Sequence, residues 1–405
     1  MVKVRASARL IRSNRMDYQG TISRGVRAPI IRQGDDLVQI TADCVCNASK
    51  EGGFPIQDKD VVAVTEAVLA RAQGNYATID QIASDVAAKF GDETVGLILP
   101  IFSRNRFSKV LEGIAKGVKK LIVQLAYPSD AVGNSFVSFE QIMEKGVNPY
   151  VDVFTGEEFH KLFGNVRHTF TGVDYIDYYE KTGNCQVILA NNPCEILKHT
   201  KFVINADIHT RKRTKRILLN AGAKKVVSLD EILTTSVDGS GYNEQYGVLG
   251  SNLATEKSVK LFPREAQKFV EDLQKELFAR TGKNVECMVY GDGAFKDPVG
   301  GIWELADPVA SPAYTKGLEG KPNEIKLKYL ADNDLAGLSG EEAIKAMKEL
   351  IKNKEEDLVD NMKSQGTTPR QITDLLASLA DLTSGSGDKG TPIILIQNYF
   401  KNFSM

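Results

Sequence analysis

The chain has no surplus of either charge. Its 51 Lys and Arg stand against 52 Asp and Glu, which excludes a globally basic nucleic-acid binder and leaves partners to be read from local sites. It is poor in histidine, with four, and in tryptophan, with Trp303 alone. The five cysteines, Cys44, Cys46, Cys185, Cys194 and Cys287, are odd in number and scattered, which excludes a disulfide framework and suits reduced thiols. Cys44 and Cys46 lie close together on an alternating segment that would turn both to one side of a strand. No second pair or histidine cluster accompanies them, so zinc is not expected. Long hydrophobic runs are missing too: no stretch approaches a membrane span, and no apolar signal-peptide run follows the basic start Met1-Val-Lys-Val-Arg. A soluble cytoplasmic protein with no membrane partner is the expectation. Absent as well are the spacing of a Walker P-loop, a Gly-x-Gly-x-x-Gly after a predicted strand, and a Ser or Cys nucleophile elbow.

What is present has the rhythm of an α/β protein. At 405 residues the chain exceeds the size of one hydrophobic core, and its texture divides it into 1–93, 94–235 and 236–405. In the first part, Leu37, Ile40 and Cys44 have helical spacing, with Asp35 or Asp36 as cap; Asp60-Val-Val-Ala-Val-Thr65 reads as a buried strand and 78–90 as a helix. In the second, strand Thr94–Pro100, helix 107–118 and strand Lys120–Leu125 make one βαβ unit, and strand Lys201–Ala206, helix His209–Ala221 and strand Lys225–Leu229 make another. A parallel sheet follows, with the polar and aromatic stretch 128–184 as a long excursion. The third part predicts helix 263–281, strand 283–290, a helix over 339–364 capped by Ser339 with Glu342, a helix opening at Thr368-Pro, and a last buried strand at Thr391–Gln397.

The densest chemistry lies in 285–308, where a strand runs into a loop carrying Asp292, Asp297, Glu304 and Asp307 among glycines 291, 293, 300 and 301. Carboxylates on such a loop suit a magnesium or manganese ion bridging to phosphate, and an acidic turn joining two strands is the alternative. In the glycine-rich loop 383–390, Gly385, Gly387 and Gly390 can present N–H groups beside Lys389, or the loop is a plain surface connection. His209-Thr-Arg-Lys-Arg-Thr-Lys-Arg carries five basic side chains in eight residues; helical spacing spreads them round the axis as a solvated face rather than a polyanion site. His160, His168 and His199 read as structural. Ser103-Arg-Asn-Arg and Tyr127–Asn134 follow strands of the predicted parallel sheet, where Arg104 and Arg106 suit a carboxylate or phosphate.

Three stretches resemble the family of γ-glutamyl ligases that add L-glutamate to the precursor of the deazaflavin cofactor F-420, with a related branch that extends folates. The first is Arg27-Ala-Pro-Ile-Ile-Arg-Gln-Gly with Thr65-Glu-Ala-Val-Leu-Ala-Arg-Ala-Gln-Gly. The second runs from Gly247-Val-Leu-Gly-Ser-Asn through Phe262-Pro-Arg to Tyr290-Gly-Asp-Gly, and the third is the loop 383–390 before Thr391-Pro. The resemblance implies an α+β ligase core, formed by 1–93 and 236–405, interrupted by a parallel α/β block inserted at 94–235. It implies nucleotide contacts from Arg27, Ala28, Pro29, Ile30, Arg71 (where a lysine is usual), Asn252, Gly385, Gly387 and Lys389, and a metal at Asp292; Asp297 and Glu304 inherit no role by position and are candidate ligands from the acidic loop alone. Magnesium or manganese, with GTP or ATP as co-substrate, would drive formation of an acyl phosphate on a small carboxylate-bearing cofactor. The amine of L-glutamate then displaces phosphate, no side-chain nucleophile being required, and a homodimer is implied. Three positions depart from the family: its other metal aspartate falls on Leu249, the threonine after Asp292 is Gly293, and the last-loop ligand falls on Ser386. Either Asp238, Asp297, Glu304 or Asp388 replaces the lost ligands, or the chain is a non-catalytic nucleotide- or cofactor-binding protein derived from that fold.

Overall fold

The run Val61-Val-Ala-Val-Thr65 is apolar on both faces because both are covered. In the computed structural model, which describes residues 18–164, 166–169, 171–291, 309–358, 361–364, 370–384 and 388–404, it is the central strand of a five-stranded sheet. Val61–Thr65 runs parallel to Glu286–Tyr290 and antiparallel to Ile393–Gln397; Ile22–Val26 adds to the Ile393–Gln397 side and Ala313–Tyr314 to the Glu286–Tyr290 side. Strand alternation sends Val62, Val64, Cys287 and Val289 to one face, against helices Leu37–Gly52 and Ala266–Thr281. Val61, Ala63, Met288 and Tyr290 go to the other, against Leu376, Ala377 and Ala380 of helix Ile372–Ser384. Asp36 caps Leu37–Gly52 by accepting from the Gln39 N–H, and Gly53 closes it in the left-handed region at φ 65°.

The second large sheet has six strands in the order Phe154–Thr155, Gln186–Leu189, Lys120–Leu125, Thr94–Ile98, Phe202–Asn205 and Lys225–Ser228, all parallel except the first. Its earliest strand sits inside, and the chain changes direction across the sheet between Thr94–Ile98 and Phe202–Asn205. The chain is therefore α/β, a mixed sheet joined to a largely parallel one. The hydrophobic cluster of this second sheet does not stop at residue 93. Ala77, Ile82, Val86 and Phe90 join it from one side and Val248, Leu249, Val259 and Leu261 from the other. Helix Ile79–Phe90, capped by a Thr78/Gln81 box, packs on Arg104–Lys116, where Gly113 lets the helices approach: a Cβ there would lie 2.6 Å from Ile82 Cγ2. A three-stranded sheet of Asn252–Thr255, Ser258–Lys260 and Tyr76–Thr78 joins the two regions.

Several expectations are corrected. Cys44 and Cys46 lie on helix Leu37–Gly52, not on a strand, because the amphipathic period of the whole segment outweighs a local alternation of two thiols. The helix expected over 339–364 is Gly340–Lys352, and Ser339 makes no side-chain cap bond. The charged run beyond it is held elsewhere: Asn323 Nδ2 donates to the carbonyls of Glu355 and Glu356, and Lys354 reaches the Asn323 carbonyl. The excursion 128–184 carries helices Phe139–Glu144, Gly156–Phe163 and Tyr175–Gly183. Strand Gln186–Leu189, which follows it, was not anticipated. Among the described residues no helix is long and apolar enough to cross a membrane.

Candidate functional site

Two parallel strands end side by side at Thr65 and Tyr290, which are register partners, and a cavity of about 570 Å³ opens at that rim. Carboxyl ends of parallel strands leave loops and N–H groups free to meet a ligand, and a cavity of this size suits a small molecule. The remaining walls come from Ala28 to Ile31, from Ala67, Val68 and Arg71, and from Asp381, Ser384 and Gly390 to Pro392. Backbone bonds knit them together. The Ala28 N–H donates to the Gly390 carbonyl at 3.1 Å and the Thr65 N–H to the Pro392 carbonyl at 3.0 Å. Gly25 makes the contact possible, since a Cβ there would meet Thr391 Cβ at 3.0 Å. The base of the glycine-rich loop is pinned by Thr391 Oγ1, which donates to the Ser384 carbonyl at 2.9 Å, while Ser384 Oγ donates to the Asp381 carbonyl at 2.8 Å.

The described lining residues of the cavity mix one cation with several hydroxyls. Arg71, in the last turn of helix Glu66–Ala72, is exposed, and its planar fork suits paired oxygens. Tyr290 is 2% exposed and its ring lies in the apolar cluster with Met288, Leu376 and Ala380. Its hydroxyl faces Thr65 and Ser384 without forming a hydrogen bond of good geometry to either. Burial pushes the Tyr290 phenol up to about 12, with nearby Asp381 adding to the effect. Asp381 is the one carboxylate among the described lining residues.

The structure brings Ala28, Pro29, Ile30 and Arg71 to this cavity. Arg27 is the exposed residue before Ala28, and Lys389 is exposed beside Gly390. Gly385, Gly387, Asp292, Asp297 and Glu304 lie outside the described residues. Asn252 does not line the cavity. It pairs with Lys260 in the Asn252–Thr255/Ser258–Lys260 hairpin, and Lys260 Nζ lies 3.5 Å from Glu66 Oε1 at the start of the helix that carries Arg71. Leu249, on which the resemblance places a metal aspartate of the family, is 2% exposed and packed in the hydrophobic core. Asp238 is exposed in a turn, where its carbonyl accepts from Gln81 Nε2, and Asp388 is exposed. Sequence reasoning missed Tyr290 and Asp381; a tyrosine closing an apolar strand just before a glycine was the available signal for the first.

At the second sheet the loops at the strand ends are tied together by buried polar groups. Asp130 is buried and accepts four hydrogen bonds, from the N–H groups of Phe102 (2.7 Å), Val132 (3.0 Å) and Asn134 (2.9 Å) and from Asn134 Nδ2 (2.7 Å). It ties the loop before Arg104 to the loop 127–136. Phe102 stacks on Phe136 at 4.2 Å and on Tyr175 at 5.8 Å, while Tyr127 and Phe159 meet edge-on. Gln124, Asn205 and Asp207 are likewise buried and multiply bonded. The basic helix is Arg211–Asn220; Arg211 and Lys215 pair with Asp230 and Glu231, and Lys212, Arg213 and Arg216 are exposed. His160 Nε2 lies 2.8 Å from Asp174 Oδ2 and 3.9 Å from Asp177 Oδ1, a group able to hold a cation that is empty here. Asp174 is already engaged as the cap of Tyr175–Gly183.

The sequence matches the model of a known family, F420-0:gamma-glutamyl ligase, over residues 25–398. A search of curated proteins finds no match.

Proposed function

The chain belongs to the F420-0:gamma-glutamyl ligase family, and from that premise we propose that it joins L-glutamate to the carboxylate of a deazaflavin or pterin cofactor at the expense of GTP or ATP. The observation that carries the proposal is the cavity at Thr65 and Tyr290, where segments distant in sequence meet and the described lining residues offer one cation and several hydroxyls. In this reading Arg71 grips the nucleotide's phosphate oxygens, and the backbone of 28–31 and of 390–392 lies against them. The acceptor carboxylate takes the terminal phosphoryl group and releases the nucleoside diphosphate. The glutamate amine then attacks the acyl carbon, phosphate leaves, and the amine proton passes to solvent. A magnesium or manganese ion would neutralise charge on the transferring phosphoryl group. Asp292 follows Tyr290 by two residues and would hold that ion with Asp297 and Glu304.

The ligase role belongs, in this proposal, to 1–93 with 236–405, and 94–235 is an inserted unit. Supporting this, the strands lining the cavity come only from the first and third parts, whereas the six-stranded sheet is made only from the second. One observation favours the alternative of a binding protein without turnover: Leu249 cannot ligate a metal and is locked in the core. Incubating the full chain with labelled glutamate, GTP or ATP, manganese or magnesium, and a panel of deazaflavin and pterin acids separates the two. A glutamylated product with equimolar phosphate supports the ligase. Nucleotide binding without product, unaffected by Asp292→Asn, supports the binding protein.

A further inference from the structure

Tyr290 combines a clamped ring with an uncommitted hydroxyl. The ring is among the largest fully buried side chains, held by Met288, Leu376 and Ala380, so the hydroxyl cannot swing away to find water. That hydroxyl makes no hydrogen bond within the described residues, yet the side chain forms part of the cavity wall. Buried hydroxyls are nearly always paired, and a phenylalanine would fill the same apolar space without the unpaired group. The hydroxyls of Ser384 and Thr65 lie near it without forming a hydrogen bond of good geometry to it. The Ser384 proton goes to the Asp381 carbonyl, and Thr65 Oγ1 accepts from the Ala67 N–H at 3.5 Å, its own proton finding no acceptor of good geometry among the described residues.

We propose that the Tyr290 hydroxyl is a ligand contact that donates to a phosphate oxygen of the nucleotide bound in this cavity and so determines affinity for the phosphate chain. The assignment rests on the nucleotide reading of the site. Two uncommitted O–H donors and the Arg71 guanidinium make the wall rich in donors, which suits an acceptor-only oxyanion rather than an amine or a base edge. Asp381 opposes an anion, so the phosphate belongs on the Thr65 and Arg71 side of the cavity. A phenol carries its proton at neutral pH, so the hydroxyl acts as a donor and not as a base.

The test compares full-length wild type with Tyr290→Phe by thermal unfolding without ligand and by calorimetric titration of GTP, ATP and tripolyphosphate in the presence of manganese. The expected result is an unfolding temperature equal to or above that of wild type, with affinity weakened roughly tenfold for nucleotide and tripolyphosphate alike. Unchanged affinity in a folded Tyr290→Phe, as a hydroxyl satisfied by water alone would give, overturns the assignment and leaves the functional reading standing. A lower unfolding temperature or loss of folding overturns it too, because the hydroxyl would then be structural. Failure of wild type to bind nucleotide or tripolyphosphate overturns the functional reading, and this assignment with it.

Discussion

The two large sheets treat the carboxyl ends of their parallel strands in opposite ways. Among the described residues, a cavity lined by a cation and hydroxyls lies at Thr65 and Tyr290, and one buried hydroxyl there makes no hydrogen bond. At Ile98 and Leu125 the loops are bound together by Asp130, all of whose lone-pair sites are used, and by stacked aromatic rings. Both ends belong to the kind of location where α/β sheets bind ligands. Location alone therefore does not mark a site. Hydrogen bonds already made mark structure, and donors held rigid but unused mark a place for a ligand.

That contrast can be broken in several ways. The largest expected effect concerns the proposed metal ligand that follows Tyr290 in sequence: Asp292→Asn lowers glutamylation about a thousandfold, as loss of a group stabilising charge in phosphoryl transfer does, without changing the unfolding midpoint. Single-turnover assays with circular dichroism check both halves. Next, Asp130→Ala costs about 3 kcal/mol of stability, because its removal leaves four buried donors unpaired. Denaturant titration checks this, and nucleotide affinity per folded molecule stays at the wild-type value. Smaller again, Arg71→Ala raises the nucleotide KM about tenfold, and Arg71→Lys recovers part of that, since the ammonium keeps the charge but loses the fork. Steady-state kinetics at saturating acceptor read this out.

The smallest effect concerns His168, the exception in the second region. It is 1% exposed, its Nδ1 accepts from the Thr171 N–H, and its Nε2 has no partner among the described residues. Burial lowers its pKa below the usual 6.5. The unfolded chain thus binds a proton before the folded one does, and stability present above pH 6.5 is lost as pH falls towards the folded value. His168→Gln should flatten the slope of stability against pH between 7 and 5, measured by denaturant midpoints. A slope unchanged by the substitution would assign the acid sensitivity to other groups.

Much of the fold was legible because its causes are local. Val61–Thr65 announces two-sided burial by its β-branched run, and Thr78 with Gln81 announces a helix start. Helix 339–364 was overdrawn because what ends it is tertiary: the Asn323 side chain captures the carbonyls of Glu355 and Glu356 instead of leaving them to a helix. Of the cavity, Ala28 to Ile30 and Arg71 were reached only through the family resemblance, since exposed residues in a loop and a helix end carry no periodic signal. Tyr290 was invisible as a site residue. Its aromatic ring reads as core, which it is, and whether a hydroxyl finds a partner depends on Thr65 and Ser384, residues 225 positions before it and 94 after it.

The central claim is that the first rim and not the second takes the nucleotide. Hydrogen–deuterium exchange on the full chain, with and without GTP or ATP in the presence of manganese, tests it directly. Protection at 26–31, 65–71 and 388–392, with 99–104 and 127–136 unchanged, is the predicted result. Protection confined to 99–104 and 127–136 would contradict the account.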